Sequence, residues 1–474
     1  MAPTTAPPAP GTTDADAAQG APQLGHGLKQ RHLSMIALGG VIGAGLFVGS
    51  GAGIAAAGPA IILAFALSGL LVMLIMRMLG EMSAARPASG SFSVHAEKEI
   101  GPWAGITAGW MYWVMLCCGV AAEATAAGKI VNGWIPGVSS WVWVALFMVF
   151  FCVSNLTAVK NFGEFEFWFA TIKVTAIIAF LVLGALGIAG VIGPGSPGTA
   201  NLTGHGGFLP GGVSGLIVGL LASVFAYGGL ETVTIAAAES DDPRRNVANA
   251  VRTAVWRIAI FYIGSMALVV TLVSWKDPAV AADGPYVTVL RHLGVAGAGT
   301  IMQAVVLIAL LSAMNANIYG ASRMAYSLVG RGQGPRALAK ASGGVPRRAV
   351  LASCLFGFLA VLAAKFWPDT VFTWLMNTTG VAILVVWLFI CLVQLKMRRR
   401  LERESPELLT VRMWGFPYLT WIATAAVVGI LALMTTTEGN RQQLYAAAVL
   451  VALLSGAGVL KQRRDRAAAA AAAR

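Results

Sequence analysis

Three ionisable residues stand inside long apolar runs of this chain: Glu123, Lys173 and Glu231. A charge at membrane depth costs about 3 kcal/mol on insertion scales, so it marks a proton relay, an ion site or a substrate site. Glu231 lies two residues past Gly229 and eight before Glu239, which puts it about 12 Å inside its run at a helical rise of 1.5 Å per residue. Its position suits a proton acceptor or a partner for a substrate ammonium; capping of freed backbone N–H groups is the structural alternative. Lys173 follows Glu164 by nine residues, roughly 14 Å into a hydrocarbon core of about 30 Å. A buried ammonium there can stand in for a bound cation or carry a proton, whereas an ion pair or a snorkelling side chain is the structural reading. Glu123 precedes Lys129 by six residues, too far for a helical i,i+4 pair, and a coupling role and a structural one are equally open to it. Tyr112, in GWMYW, offers a hydroxyl to a cavity or an aromatic anchor to the membrane surface. Asn315, Asn317 and the run Asn377-Thr378-Thr379 fit interhelical hydrogen bonding better than a site.

Glycines break two of the apolar runs. Residues 39–51 read GGVIGAGLFVGSG, and residues 223–240 read SVFAYGGLETVTIAAAES, interrupted at Gly228-Gly229. Each glycine weakens a helix by about 1 kcal/mol relative to alanine, and non-helical backbone at membrane depth survives only against protein or a cavity. A half-helix starting near Gly45 presents N–H groups and a positive dipole end, suited to a carboxylate. Carbonyls freed around Val41-Ile42 and Phe225-Ala226 suit an ammonium. A site with both is built for a zwitterion. Tight helix packing through Gly39, Gly43 and then Phe47 would explain the first segment alone, but not a matching break in the second.

Positioning these groups requires many crossings. The 474 residues are 57% hydrophobic and 11% charged, with mean hydropathy +0.75, and apolar runs of about 20 residues each span a bilayer. Twelve are read, approximately at 33–56, 59–80, 103–130, 138–159, 165–192, 213–239, 251–274, 297–328, 348–366, 370–396, 414–435 and 443–461. The fold class is all-α and integral to the membrane. With both ends cytoplasmic, all 33 Lys+Arg lie on the inner side except Lys129, Lys276, Arg291, Lys365, Arg441 and the mid-span Lys173. That is the positive-inside bias; it accounts for the net charge of +13 and argues against a nucleic-acid partner. The first broken span enters from the cytoplasm and the sixth from outside, so the breaks fall at equivalent places in two oppositely oriented five-helix units, the pattern of a transporter site. The five cysteines all lie in apolar spans without metal spacing and read as packing residues. No metal or cofactor is expected. Residues 1–27 form a tail rich in Pro, Ala, Gly and Thr, without a cleavable signal. Residues 28–461 form the transporter domain, with repeats at about 33–192 and 213–396 and peripheral helices at about 414–461. Residues 462–474 form a second cytoplasmic tail.

The stretches LKQRHLSMIALGGVIGAGLFVGSG, MRMLGEM followed by SGSF, VKNFGEFEFWFATIKV, ETVTIAAAES and YGASRMAYSL closely resemble the amino acid transporter family of the amino acid–polyamine–organocation superfamily, and their wording is most like bacterial γ-aminobutyrate permeases. The likeness runs from about Leu28 to Arg464. It implies a leucine-transporter-like fold of two inverted five-helix repeats plus two peripheral helices. By the same resemblance, a substrate carboxylate would meet backbone at Gly43, Ala44 and Gly45, and its amino group carbonyls near Val41, Ile42, Phe225 and Ala226, with Gly228 at the second break. Lys173 would occupy the place of a sodium ion. Glu231 and Glu239 match acidic positions of the sixth helix, and Tyr112 an aromatic position of the third. The chain departs at Ala44, where many relatives have Ser or Thr, at Leu230, and at Ala313, where a γ-aminobutyrate carrier has cysteine.

These observations imply a cytoplasmic-membrane permease that imports a small amino acid, γ-aminobutyrate or a related neutral one, with a proton, by alternating access. Lys173, Glu231, Glu239 and Glu123 are the coupling candidates. An exchanger of the same fold, a membrane-embedded enzyme and a nutrient sensor are the competing readings; the enzyme is disfavoured because no metal cluster or activated nucleophile recurs on the spans.

Overall fold

The structure, a computed structural model, describes residues 42–472 except 89, 158–159, 205, 232–242, 340–344, 369 and 437. The expected site residues Val41 and Glu239 lie outside the described residues. Among those described there is no β-strand, and ten helical stretches are long and apolar enough to cross a membrane.

One stretch, Gly45–Ala85, is 41 residues long, about twice what a bilayer needs. It divides into two spans at Gly58-Pro59. Gly58 has φ +60°, a conformation open to glycine, and the following proline lacks the N–H that would continue the helix. The first span is a π-helical turn, Gly45–Gly49, leading into α1, Ser50–Ala57; the second is α2, Ile61–Ala85. A short helix, α3 (Ser91–Glu99), precedes α4 (Pro102–Trp134), α5 (Ser140–Thr157) and α6 (Lys160–Ile188). The next span is short because it is broken: α7, Gly212–Tyr227, stops at Gly228. Counting the divided stretch as two and adding α7 gives the expected twelve.

The second half continues with α8 (Pro243–Arg257), which passes through a π-helical segment, Ile258–Gly264, into α9 (Ser265–Leu272). Then come α10 (Ala298–Gly330), α11 (Arg347–Phe366), α12 (Val371–Glu404), α13 (Tyr418–Leu433) and α14 (Glu438–Ala472). The last helix continues through most of the segment expected to be a tail, since its run of alanines is the strongest helix former available. The helix α12 likewise extends past the expected boundary and carries Arg398, Arg399 and Arg400 on its final turns.

The core is layered around the broken spans. The α1 and α2 helices both pack on α7, while α4 packs against α10 and α12, and α6 against α10. A chain of rings links the first break to α6: Phe47 meets Tyr286 at 4.8 Å, and Tyr286 meets Phe180 of α6 at 4.4 Å between centroids. Tyr286 belongs to a short helix, Pro285–His292, in the loop between the seventh and eighth spans.

Candidate functional site: two broken helices bridged by buried charges

At the first break the chain's own side chains already occupy the backbone groups that the sequence offers. The N–H of Ala44 donates to both carboxylate oxygens of Glu123, at 3.1 and 2.9 Å. The carbonyl of Ile42 accepts from the ammonium of Lys173 at 3.2 Å. Two residues apart, one donor faces an anion and one acceptor faces a cation. The arrangement matches a zwitterion site in polarity, with Glu123 standing in for a carboxylate and Lys173 for an ammonium. The carboxylate sits at the start of the helical turn, where the dipole end favours negative charge.

Small residues make this approach possible. A Cβ on Gly43 would stand 2.4 Å from Glu123 Oε1 and 2.8 Å from the Cβ of Ala313, so Gly43 leaves the room that the glutamate fills. A Cβ on Gly45 would stand 2.4 Å from the Cα of Ala226. The first and sixth spans therefore touch backbone to backbone at Gly45 and Ala226. The sequence assigned Gly45 to substrate approach; its closest neighbour is the other broken helix.

The second break is held by Glu231. After α7 ends, Gly228 donates to the carbonyls of Val224 and Phe225, both at 3.1 Å. The expected ammonium acceptor at Phe225 is thus already engaged. Gly229 has φ +95°, and its N–H donates to Glu231 Oε2 at 3.1 Å. The other oxygen, Oε1, accepts from the indole N–H of Trp387 on α12. Both Glu231 and Trp387 are fully buried. Backbone capping, the structural alternative for Glu231, is what the geometry displays.

Lys173 has a second partner that the sequence reading passed over. Glu166, also fully buried, lies 3.8 Å from its ammonium and accepts from the hydroxyl of Ser312 on α10, at 2.9 and 3.0 Å to its two oxygens. Its signal was present: Glu166 and Lys173 are seven residues apart in EFEFWFATIK, two helical turns on one face.

A model of the amino acid permease family matches residues 32–468. The chain is 46% identical over 409 residues to a γ-aminobutyric acid permease of Bacillus subtilis, covering 86% of this chain and 87% of that one. It is also 46% identical over 417 residues to an aromatic amino acid transport protein of Corynebacterium glutamicum (87% and 89%) and 43% identical over 414 residues to a γ-aminobutyric acid permease of Escherichia coli (87% and 89%). The chain belongs to the amino acid permease family.

As a member of the amino acid permease family it is a multi-pass membrane transporter and not an enzyme. Three more charged or polar residues of this permease take their places in the interior. Arg257, read from the sequence as an inner-end charge, is only 1% exposed; it falls at the junction of α8 with the π-helical segment, where a run of AVWRIAIFY gave little sign that the arginine turned inward. Tyr112 is fully buried, packed edge-on against Phe92 of α3 at 5.0 Å. It precedes Glu123 by eleven residues on α4, about 16 Å along the axis. Asn315 accepts from Asn155 of α5 at 2.8 Å, an interhelical bond of the kind its sequence suggested.

Proposed function

We propose that this permease imports a small amino acid together with a proton, and that the first break is where both are handled. The observation that carries the reading is the pair of contacts two residues apart, Glu123 on the Ala44 N–H and Lys173 on the Ile42 carbonyl. An amino acid brings the same two charged groups. Its carboxylate competes with Glu123 for the helix terminus, and a displaced Glu123 in so dry a setting is far cheaper neutral than charged. Substrate entry and proton uptake at Glu123 are then one event. Lys173 stays on Ile42, in the role of a resident cation, with Glu166 and Ser312 behind it.

The proposed cycle is alternating access: the units at about 33–192 and 213–396 act as inverted repeats, and the two broken helices tilt against the rest. The protein sits in the cytoplasmic membrane with both termini inside. Relatives named for γ-aminobutyric acid and for aromatic amino acids stand at equal identity, so both classes are carried forward. The wording of the broken spans, most like that of γ-aminobutyrate permeases, makes γ-aminobutyrate the first substrate to test.

Reconstituted protein tests the reading. Labelled γ-aminobutyrate should accumulate in proteoliposomes under an imposed inward proton gradient with no internal amino acid. Uptake only when the vesicles are preloaded with amino acid would establish an exchanger instead. Competition by unlabelled aromatic, basic, proline and small neutral amino acids ranks the substrates; displacement by aromatic residues alone would move the assignment to that class.

A further inference from the structure

We propose that the groove between α2 and α13 binds an anionic phospholipid, its phosphate held by Arg77 and Arg412. Two outward stripes converge on these residues. On α2, Leu63, Leu67 and Leu70 are exposed at i, i+4 and i+7, and the same face runs on through Met73 to the half-buried Arg77. On α13, Tyr418, Trp421, Ile422 and Val428 are exposed along one face. The two helices pack on each other, and each stripe runs toward the loop that carries Arg412, at one end of the pair.

That end is built rather than incidental. Arg77 and Glu81 are four residues apart on α2 and grip adjacent backbone groups of the loop before α13. Arg77 Nε donates to the Arg412 carbonyl at 2.8 Å, and Glu81 accepts from the Met413 N–H. Glu81 is further engaged by Arg398 and by Gln394 Nε2 at 2.8 Å, which commits its charge inward and away from the groove. The Arg77 guanidinium lies 5.0 Å from the centre of the Trp414 ring. The exposed Arg412 side chain is tethered through Nε to the Leu409 carbonyl at 3.3 Å. Arg77 is thus held on the backbone of residue 412, and the Arg412 side chain is anchored within the same loop. Planar, weakly hydrated guanidinium pairs suit phosphate oxygens, and Trp414, Tyr418 and Trp421 are the residue types that settle at headgroup level. The neighbouring Arg398, Arg399 and Arg400 place the site at the arginine-rich end of the molecule, which faces the anionic leaflet when basic loops are inside.

The test is native mass spectrometry of the full-length protein in detergent, titrated with phosphatidylglycerol, with phosphatidylcholine of the same acyl chains, and separately with inorganic phosphate. The wild type is expected to retain phosphatidylglycerol in preference to phosphatidylcholine. Arg412→Gln and Arg77→Gln, each verified as monodisperse, should each lower that retention about fivefold. Arg412→Gln keeps the carbonyl that orients Arg77, so its effect reports the side chain. Replacing the tail pair, Arg463→Gln with Arg464→Gln, should change nothing. Wild-type retention in either folded groove variant, equal retention of phosphatidylcholine, or displacement of the lipid by millimolar inorganic phosphate would overturn the proposal.

Discussion

Glu123 accepts from a backbone N–H that a substrate carboxylate also seeks, so its replacement should separate binding from coupling. In Glu123→Gln the amide oxygen can still accept from Ala44, but the side chain no longer takes up a proton. Exchange between internal and external amino acid should persist, while accumulation driven by a proton gradient is lost; undiminished accumulation would remove Glu123 from the coupling role. Lys173 makes a different prediction because it is paired in the interior with Glu166. Removing one member of a buried pair typically costs 3–5 kcal/mol, since the other charge is left uncompensated. Lys173→Ala should therefore lower the melting temperature in detergent as well as abolish pH-driven accumulation. Adding Glu166→Gln removes the stranded charge, so the double variant should regain much of the lost stability and none of the accumulation. Recovery of transport together with stability would mean that Lys173 only balances Glu166.

At the scale of the helix, the two breaks are one feature because Gly45 rests on Ala226. A Cβ at Gly45 would meet backbone that has no freedom to move aside, so Gly45→Ala should already abolish transport and weaken the fold, and Gly45→Val more so. Thermal unfolding of the two variants beside a binding assay checks this; normal stability with lost binding would return Gly45 to the substrate. The break at Gly228-Gly229 was legible in the sequence because a glycine pair interrupts an apolar run there; of the first, the described residues show the non-helical Ile42 and Gly43 and the helical start after them. The partners of the breaks were not legible. That Glu123 on the third span reaches Ala44, and that Trp387 on the tenth reaches Glu231, depends on how spans far apart in the chain pack, and no spacing within one helix encodes it. Glu166 lies between these cases: its helical register with Lys173 is readable in the sequence, but its burial against Ser312 depends on how α6 packs on α10. The short helices α3 and Pro285–His292 were missed because neither carries an apolar run long enough to stand out from a loop.

For the molecule as a whole, the distribution of charge makes the strongest claim, because orientation in the membrane follows from where Lys and Arg fall rather than from packing. The bias of basic residues toward one set of loops predicts that the loop between the seventh and eighth spans faces outward and the loop after α12 faces the cytoplasm. The five native cysteines are all buried, which leaves the unmodified protein nearly silent to a membrane-impermeant maleimide and makes single exposed replacements readable. Lys276 and Arg399 are both exposed. Lys276→Cys should label in intact cells, and Arg399→Cys only after the membrane is permeabilised. The opposite pattern would invert the molecule, reverse the direction in which the proposed proton and amino acid move, and put the Arg77–Arg412 groove in the outer leaflet. Labelling at both positions in intact cells would break the count of spans between them.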